Sequence, residues 1–215
     1  MVSAETAGKA TACSVHKKFS RMRRGVAVNV LSANTGAWPR TLIERRQPSS
    51  LLMNIQEASP TDAPMIASVL QEAAQWLISD GKGLWSTAEF SLERVQRDSS
   101  AGLFHVARDG DQLAGVMKFE LEDAYFWPEI PLGTSAFVHK LAVRRAWAKK
   151  GVSTQLLSYA RTLAQQFGRA QLRLDCIADR QALRNLYEGF GFSLHSVVQI
   201  GASSFARYEL STANQ

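Results

Sequence analysis

Arg144, Arg145, Lys149 and Lys150 crowd a short loop that closes on Gly151. The loop follows an alternating apolar run, Ala136-Phe137-Val138-His139-Lys140-Leu141-Ala142-Val143, and precedes a helical pattern. The first N–H groups of a helix have no internal partner, and the helix dipole adds partial positive charge there. A basic loop entering such a helix start is an anion site, and Gly151 admits a ligand that a Cβ would hold away. The P-loop pattern G-x-x-x-x-G-K-S/T and the dinucleotide pattern G-x-G-x-x-G are both absent. Two residues nearby could move protons. His139 titrates near neutrality, and Asp175 lies in the next apolar run. Each has a plainer reading, as a packed strand histidine and as a carboxylate bonded to a buried partner.

The elements that position these groups follow from periodicity. Period-two alternation makes 136–143 a strand and places His139 on one face with Phe137, Leu141 and Val143. Val152, Leu156, Tyr159, Ala160, Leu163 and Phe167 recur at helical spacing until Gly168 stops the run. Gln171 to Ala178 reads as another strand, and a short helix follows, with Leu183, Leu186 and Phe190 on one face and Gly191 as its cap.

These segments resemble the GNAT N-acetyltransferases. The family's pyrophosphate loop, Gln/Arg-x-x-Gly-x-Gly/Ala, falls on Ala148-Lys149-Lys150-Gly151-Val152-Ser153. Ala148 stands where the family has Gln or Arg, and Ser153 where it has Gly or Ala. Farther along, the family pattern Asn-x-x-Ala/Leu-x-x-x-Tyr-Glu-x-x-Gly-Phe meets Leu183, Tyr187, Glu188, Gly191 and Phe192 in register, with Arg180 at the usual Asn. The resemblance covers roughly Met53 to Leu210. It implies an α/β fold: a central mixed sheet with helices on both faces and a splayed central strand.

The resemblance also implies acetyl-CoA as co-substrate, no metal, and direct transfer to an amine without an acyl-Cys176 intermediate. Backbone groups of Leu141, Ala142 and Val143 would pair with the pantetheine arm, and a backbone N–H near Leu141 would polarise the thioester carbonyl. Amides of Lys149, Lys150, Gly151, Val152, Ser153 and Thr154 would hold the pyrophosphate, with Arg144, Lys149, Lys150 and Arg180 around it. Arg145 is read as solvated surface. Tyr187 would be the general acid, since a phenol (pKa about 10) can protonate a thiolate without being charged itself. Many members carry a Glu base on the central strand. Phe137 or His139 stands there, so His139 and Asp175 are the base candidates.

Composition fits one domain. The chain is 46% hydrophobic and 20% charged, enough to bury a core. Cys13 and Cys176 imply no disulfide framework, no Cys/His spacing suits zinc, and no apolar run is long enough to span a membrane. A cytoplasmic location is the default. Residues 1–52 carry nine Lys and Arg against Glu5 and Glu44, or +7, so the remainder carries −1 of the total +6. The basic balance therefore belongs to an N-terminal extension, read as disordered, as a transit segment, or as residues upstream of a start at Met53. Nucleic acid is not expected as a partner of the domain at 53–215.

Within that domain the expected order is β-α-α-β-β-β-α-β-α-β-β. A hairpin turns at Asp109-Gly110, and a capping box at Ser86 to Glu89 opens the second helix. An aromatic acceptor pocket is expected from Trp85, Tyr125 and Trp127, taking a small-molecule or peptide amine. A second copy of the chain is a candidate partner. A catalytically silent acyl-CoA-binding module is the alternative reading.

Overall fold

The Asp109-Gly110 signal does produce the hairpin, shifted by one position. The computed structural model describes residues 52–81, 85 and 87–213. Asp109 pairs with Gln112, so Gly110 and Asp111 form the two-residue turn, and Gly110 takes a φ of 58° that a side chain would resist. The expectation for residues 1–52 lies outside the described residues except at Leu52.

Seven strands and four helices follow in the expected order: β1 (Asn54–Glu57), α1 (Ala63–Ser79), α2 (Leu92–Ser100), β2 (Phe104–Asp109), β3 (Gln112–Glu120), β4 (Ser135–Val143), α3 (Val152–Gln166), β5 (Gln171–Ile177), α4 (Gln181–Phe190), β6 (Ser193–Ile200) and β7 (Ser203–Ser211). They build one sheet in the order β1-β2-β3-β4-β5-β7-β6, antiparallel except for β4 beside β5. Helices cover both faces. Ile66, Val69 and Leu70 of α1 pack with Val95 of α2 on Val106 and Val116. Leu156, Leu157 and Ala160 of α3 pack with Tyr187 of α4 on Leu172, Leu174 and Tyr208. No helix among the described residues is long and apolar enough to cross a membrane.

The second helix starts later than the Ser86–Glu89 box implies. Thr87–Phe90 form a 3₁₀ turn that buries Phe90 against α1, and Ser91 caps α2 by accepting the Arg94 N–H. Ser86 itself lies outside the described residues.

The central strand departs from simple alternation. Val116 pairs with Ala142 but Lys118 pairs with His139, so Lys140 and Leu141 together oppose Met117. This is a bulge, and Lys140 pays for it with a φ of 51°. A one-residue slip exchanges faces. Leu141 and Val143 therefore pack toward α3, and Ala142 toward α1. His139 does not share a face with Leu141 and Val143, as strict period two requires. It faces the α1 side with Lys118.

Registered pairing of β4 with β5 runs only from Ser135↔Gln171 to Val138↔Leu174. Beyond it the strands part, which is the expected splay. The chain leaving β4 is held by the Arg144 N–H on Ala114 O, turns once at Arg145–Trp147, and enters α3 through Lys149 (φ 62°) and Gly151 (φ 80°).

Gly115 sits under that helix start. A Cβ there would lie 3.0 Å from Val152 Cγ1, 3.1 Å from Ala142 O and 3.3 Å from Leu156 Cδ1. Gly115→Ala is expected to destabilise the fold by about 1–3 kcal/mol through overpacking. Urea unfolding measures this, and an unchanged midpoint would mean that α3 shifts freely.

Candidate active site

A cleft of about 780 Å³ opens where β4 and β5 part. One wall is the backbone of 139–143, the other is Asp175–Ile177 with the start of α4, and Trp76 of α1 stands at one side. Parted strands leave main-chain donors and acceptors facing the gap, and an extended ligand arm can pair with them.

At one end of the cleft lies the start of α3. Its first internal bond is Gln155 N–H to Gly151 O, at 3.0 Å. The N–H groups of 151–154 precede it and have no acceptor within the helix. Ser153 lines the cleft, Ala148, Lys149, Lys150, Gly151 and Thr154 are exposed around it, and Val152 is buried in the core. No Cβ-blocking atom lies nearer than 4.0 Å to Gly151, so its left-handed backbone is what requires glycine.

Two arginines exchange their expected places. Arg144 reaches away from the cleft, bonded to Leu113 O, to Ser68 Oγ and to the Glu72 carboxylate of α1. It fastens α1 to the sheet. Arg145, read as solvated surface, lines the cleft with its guanidinium 4.6 Å from the Trp76 ring, and its backbone N–H donates to Glu72. Arg180 lines the cleft at the head of α4, 3.6 Å from Asp179.

Tyr187, on α4, faces the cleft beside Cys176, its ring held edge-on by Phe192 and Tyr208. Burial pushes its hydroxyl well above the usual phenol range, with Cys176 and Asp175 adding to the effect, so it stays protonated. Burial likewise pushes the Cys176 thiol up to about 12, which removes it as a nucleophile near neutral pH.

His139 and Asp175 come together, and two further carboxylates join them. His139 Nε2 lies 3.4 Å from Asp123 Oδ2 and 3.7 Å from Glu120 Oε2, and Nδ1 lies 3.8 Å from Asp175 Oδ1. Burial pushes the imidazole below its usual range, while Asp123 and Glu120 oppose that shift. Burial pushes Asp175 up to about 7, assisted by the Asp123 charge. Glu120 follows from the β3–β4 register, which the sequence does not specify. Asp123 stands near the start of the loop after β3, where its Oδ1 accepts the Tyr125 and Phe126 N–H groups as an Asx turn.

Trp85 and Tyr125 line the cleft, and Phe126 stacks on His139 with ring centroids 6.2 Å apart. Trp127 is not in the cleft. It is 1% exposed, clamped between the guanidinium groups of Arg173 and Arg207 at 4.8 and 4.5 Å. A tryptophan in an aromatic loop reads the same whether it faces a ligand or two arginines, and only the fold separates the two.

The Acetyltransferase (GNAT) family model matches residues 70–192. The chain belongs to the GNAT family. Among curated relatives, the N-acetyltransferase YesJ of Bacillus subtilis (strain 168) is 28% identical over 137 residues, covering 61% of this chain and 76% of YesJ. A GNAT acetyltransferase from Listeria monocytogenes 4b F2365 superposes with a TM-score of 0.63 at 22% identity, over 74% of this chain and 94% of that one. The yncA protein of Salmonella typhimurium, solved with its cofactor acetyl-CoA, gives a TM-score of 0.60 at 16% identity, over 76% and 96%. The mixed sheet flanked by helices is thus the GNAT fold.

The raised pKa of Asp175 fixes a pH dependence. Between the unfolded carboxyl value near 4 and about 7, the folded protein binds the extra proton, so this group's contribution to stability falls as pH rises. Asp123, Lys140 and Arg207 act on it and remain in the variant. Asp175→Asn is expected to gain stability relative to the parent from pH 4.5 to pH 7.5, by about 3 kcal/mol at most. Urea unfolding at both pH values checks this, and a difference independent of pH would remove the buried-proton assignment.

Proposed function

We propose that this GNAT protein is an N-acetyltransferase that passes an acetyl group from acetyl-CoA directly to a primary amine. The parting of β4 and β5 beside the start of α3 carries the reading, because one opening offers both an extended backbone edge and a cluster of free amides. The thioester supplies an activated acyl group. The edges of Leu141 and Val143 take the pantetheine arm, the amides of 151–154 take the diphosphate, and Lys149, Lys150 and Arg180 screen its charge. The Leu141 N–H polarises the carbonyl.

The bond changes balance within this set of residues. The amine nitrogen attacks the carbonyl carbon, the C–N bond forms and the C–S bond breaks. His139, neutral because of its burial, takes the proton that leaves nitrogen, with Asp175 beside its other ring nitrogen. Tyr187 gives a proton to the departing thiolate. The site that raises the phenol also disfavours a bare thiolate, so the transfer is not opposed by burial alone.

Thermal-shift titration with coenzyme A and acetyl-CoA, followed by thiol release over an amine panel, tests the proposal. Stabilisation by coenzyme A is expected through mass action. Binding without turnover on any amine would leave a silent acyl-CoA-binding module instead. Gly151→Val, which forces a β-branched residue to a φ of 80°, should weaken coenzyme A at least about tenfold while the fold persists. Tyr187→Phe should lower kcat about 10²-fold with little change in cofactor affinity. An unchanged kcat would make Tyr187 a packing residue.

A further inference from the structure

We infer that the acceptor is a primary amine with an apolar, preferably aromatic body and no carboxylate on the carbon next to nitrogen. This rests on the transferase reading above and adds the substrate class. Its basis is the composition of the cleft around His139, where Glu120, Asp123 and Asp175 all approach the imidazole within 3.8 Å.

Two of those oxygens lack partners. Asp123 Oδ2 and Asp175 Oδ1 are buried and make no hydrogen bond with any described residue. The Asp123 side chain is only 7% exposed, and its free oxygen points at the imidazole. Buried acceptors without donors call for a ligand that brings donors. One nitrogen of His139 and one oxygen each of Asp123 and Asp175 lie within 4.8 Å of one another. Three acceptors around the tetrahedral N–H groups of an ammonium, each at about 2.8 Å, stand about 4.6 Å apart. None of the three lies farther than 4.8 Å from another, so one ammonium can reach both carboxylate oxygens beside the imidazole; it gives one proton to solvent through the mouth of the cleft before attack, which leaves His139 free for the proton released on attack.

The nearby cations are already engaged. Lys118 bridges Asp98 at 3.2 Å and Glu120 at 2.9 Å. Lys140 reaches Glu89 at 3.1 Å and lies over the rings of Trp85 and Phe90. Arg207 is bonded to Glu129, Phe126 O and Ser196 Oγ. A carboxylate adjacent to the substrate nitrogen would enter beside Glu120 and Asp123, where the described lysines, Lys118 and Lys140, already hold acidic partners. Like-charge juxtaposition of this kind rejects as effectively as any attractive contact selects.

The walls beyond the acids are aromatic. Phe126 lies over His139 and packs on Phe205 at 5.1 Å, with Tyr125 edge-on at 4.9 Å and 70% exposed toward the mouth. Phe126, Phe205 and Tyr125 all line the cleft. Ring faces attract an ammonium and bury an apolar body, so both ends of such a substrate are accommodated.

Three probes of one shape separate the possibilities: phenethylamine, phenylalanine and phenethyl alcohol. Each is titrated calorimetrically into the full chain saturated with coenzyme A, and the two amines are assayed by thiol release from acetyl-CoA. Phenethylamine is expected to exceed phenylalanine at least tenfold in both affinity and kcat/KM, and the alcohol to bind at least tenfold more weakly than the amine. Asp123→Asn keeps the Oδ1 that caps its loop, and with Glu120→Gln it should cut the preference over phenylalanine to about threefold or less. Equal or tighter binding of phenylalanine, or a preference untouched by both variants, would overturn the inference. Zinc occupying the cluster at micromolar concentration while phenethylamine fails to bind would also overturn it. Selective binding of phenethylamine with no thiol release on any amine would sink the transferase reading alone. Efficient transfer to phenylalanine would sink the substrate class alone.

Discussion

The site depends on one geometric constraint: β4 must leave β5 after four paired residues without losing either of its other attachments. Each strand keeps one satisfied side. β4 stays on β3 as far as Val143, and β5 stays on β7 through Ile177. The unsatisfied edges face each other across the gap, so the backbone donors there are held apart by a fully bonded sheet on either side. A loop could present the same groups only at the cost of their fixed geometry. The bulge at Lys140 lets the divergence occur with the core intact. It turns Leu141 and Val143 toward α3 and leaves small Ala142 against α1, where a larger side chain would meet Val116 and the helix.

The flanking helices are tied to that wedge by ions rather than by apolar area alone. Arg144 joins the strand end to Glu72 and Ser68, so α1 cannot drift from the cleft without stranding a guanidinium that is largely covered. Lys140, displaced by the bulge, reaches back to Glu89 and the rings of Trp85 and Phe90, which anchors the segment before α2. The residue that pays the conformational cost of the bulge thus also fastens the neighbouring loop. Arg173 and Arg207 lock the aromatic loop by sandwiching Trp127, and this positions Phe126 and Asp123 over His139.

Much of this was legible in the residue order because the deciding signals are local. Gly151, Gly168 and Gly191 mark helix ends by their backbone conformation, and the Asp-Gly hairpin and the apolar periods fix the elements. The two motifs that flank α3 single out the head of that helix and Tyr187 without any knowledge of packing, and Ser153 and Tyr187 both border the cleft. What failed was non-local. The slip at Lys140 has no signature in a run that alternates cleanly, so the faces of Leu141 and Val143 were reversed relative to His139. Glu120 came to the site through cross-strand register, which neither turn specifies. Arg144 and Arg145 are adjacent and chemically identical, and only the helix packed beside them decides which one meets the cleft.

The bulge has a further consequence for acid–base work. Along β5, Asp175 and Cys176 point to opposite faces, and the partners gather accordingly: His139, Glu120 and Asp123 on the α1 side, Tyr187 and Tyr208 on the α4 side. Through an intact sheet these two sets could not reach one reacting atom. Where β4 and β5 part, they border the same cleft. In the proposed reaction the amine arrives over the acidic face and the sulfur departs over the phenolic face. A proton taken by His139 and a proton given by Tyr187 then never compete for the same carboxylate cluster. Burial is the leading cause on both sides: it keeps the imidazole neutral beside its acids and the phenol protonated among its aromatics, and Asp175 acts across the sheet in the same sense as burial on Tyr187.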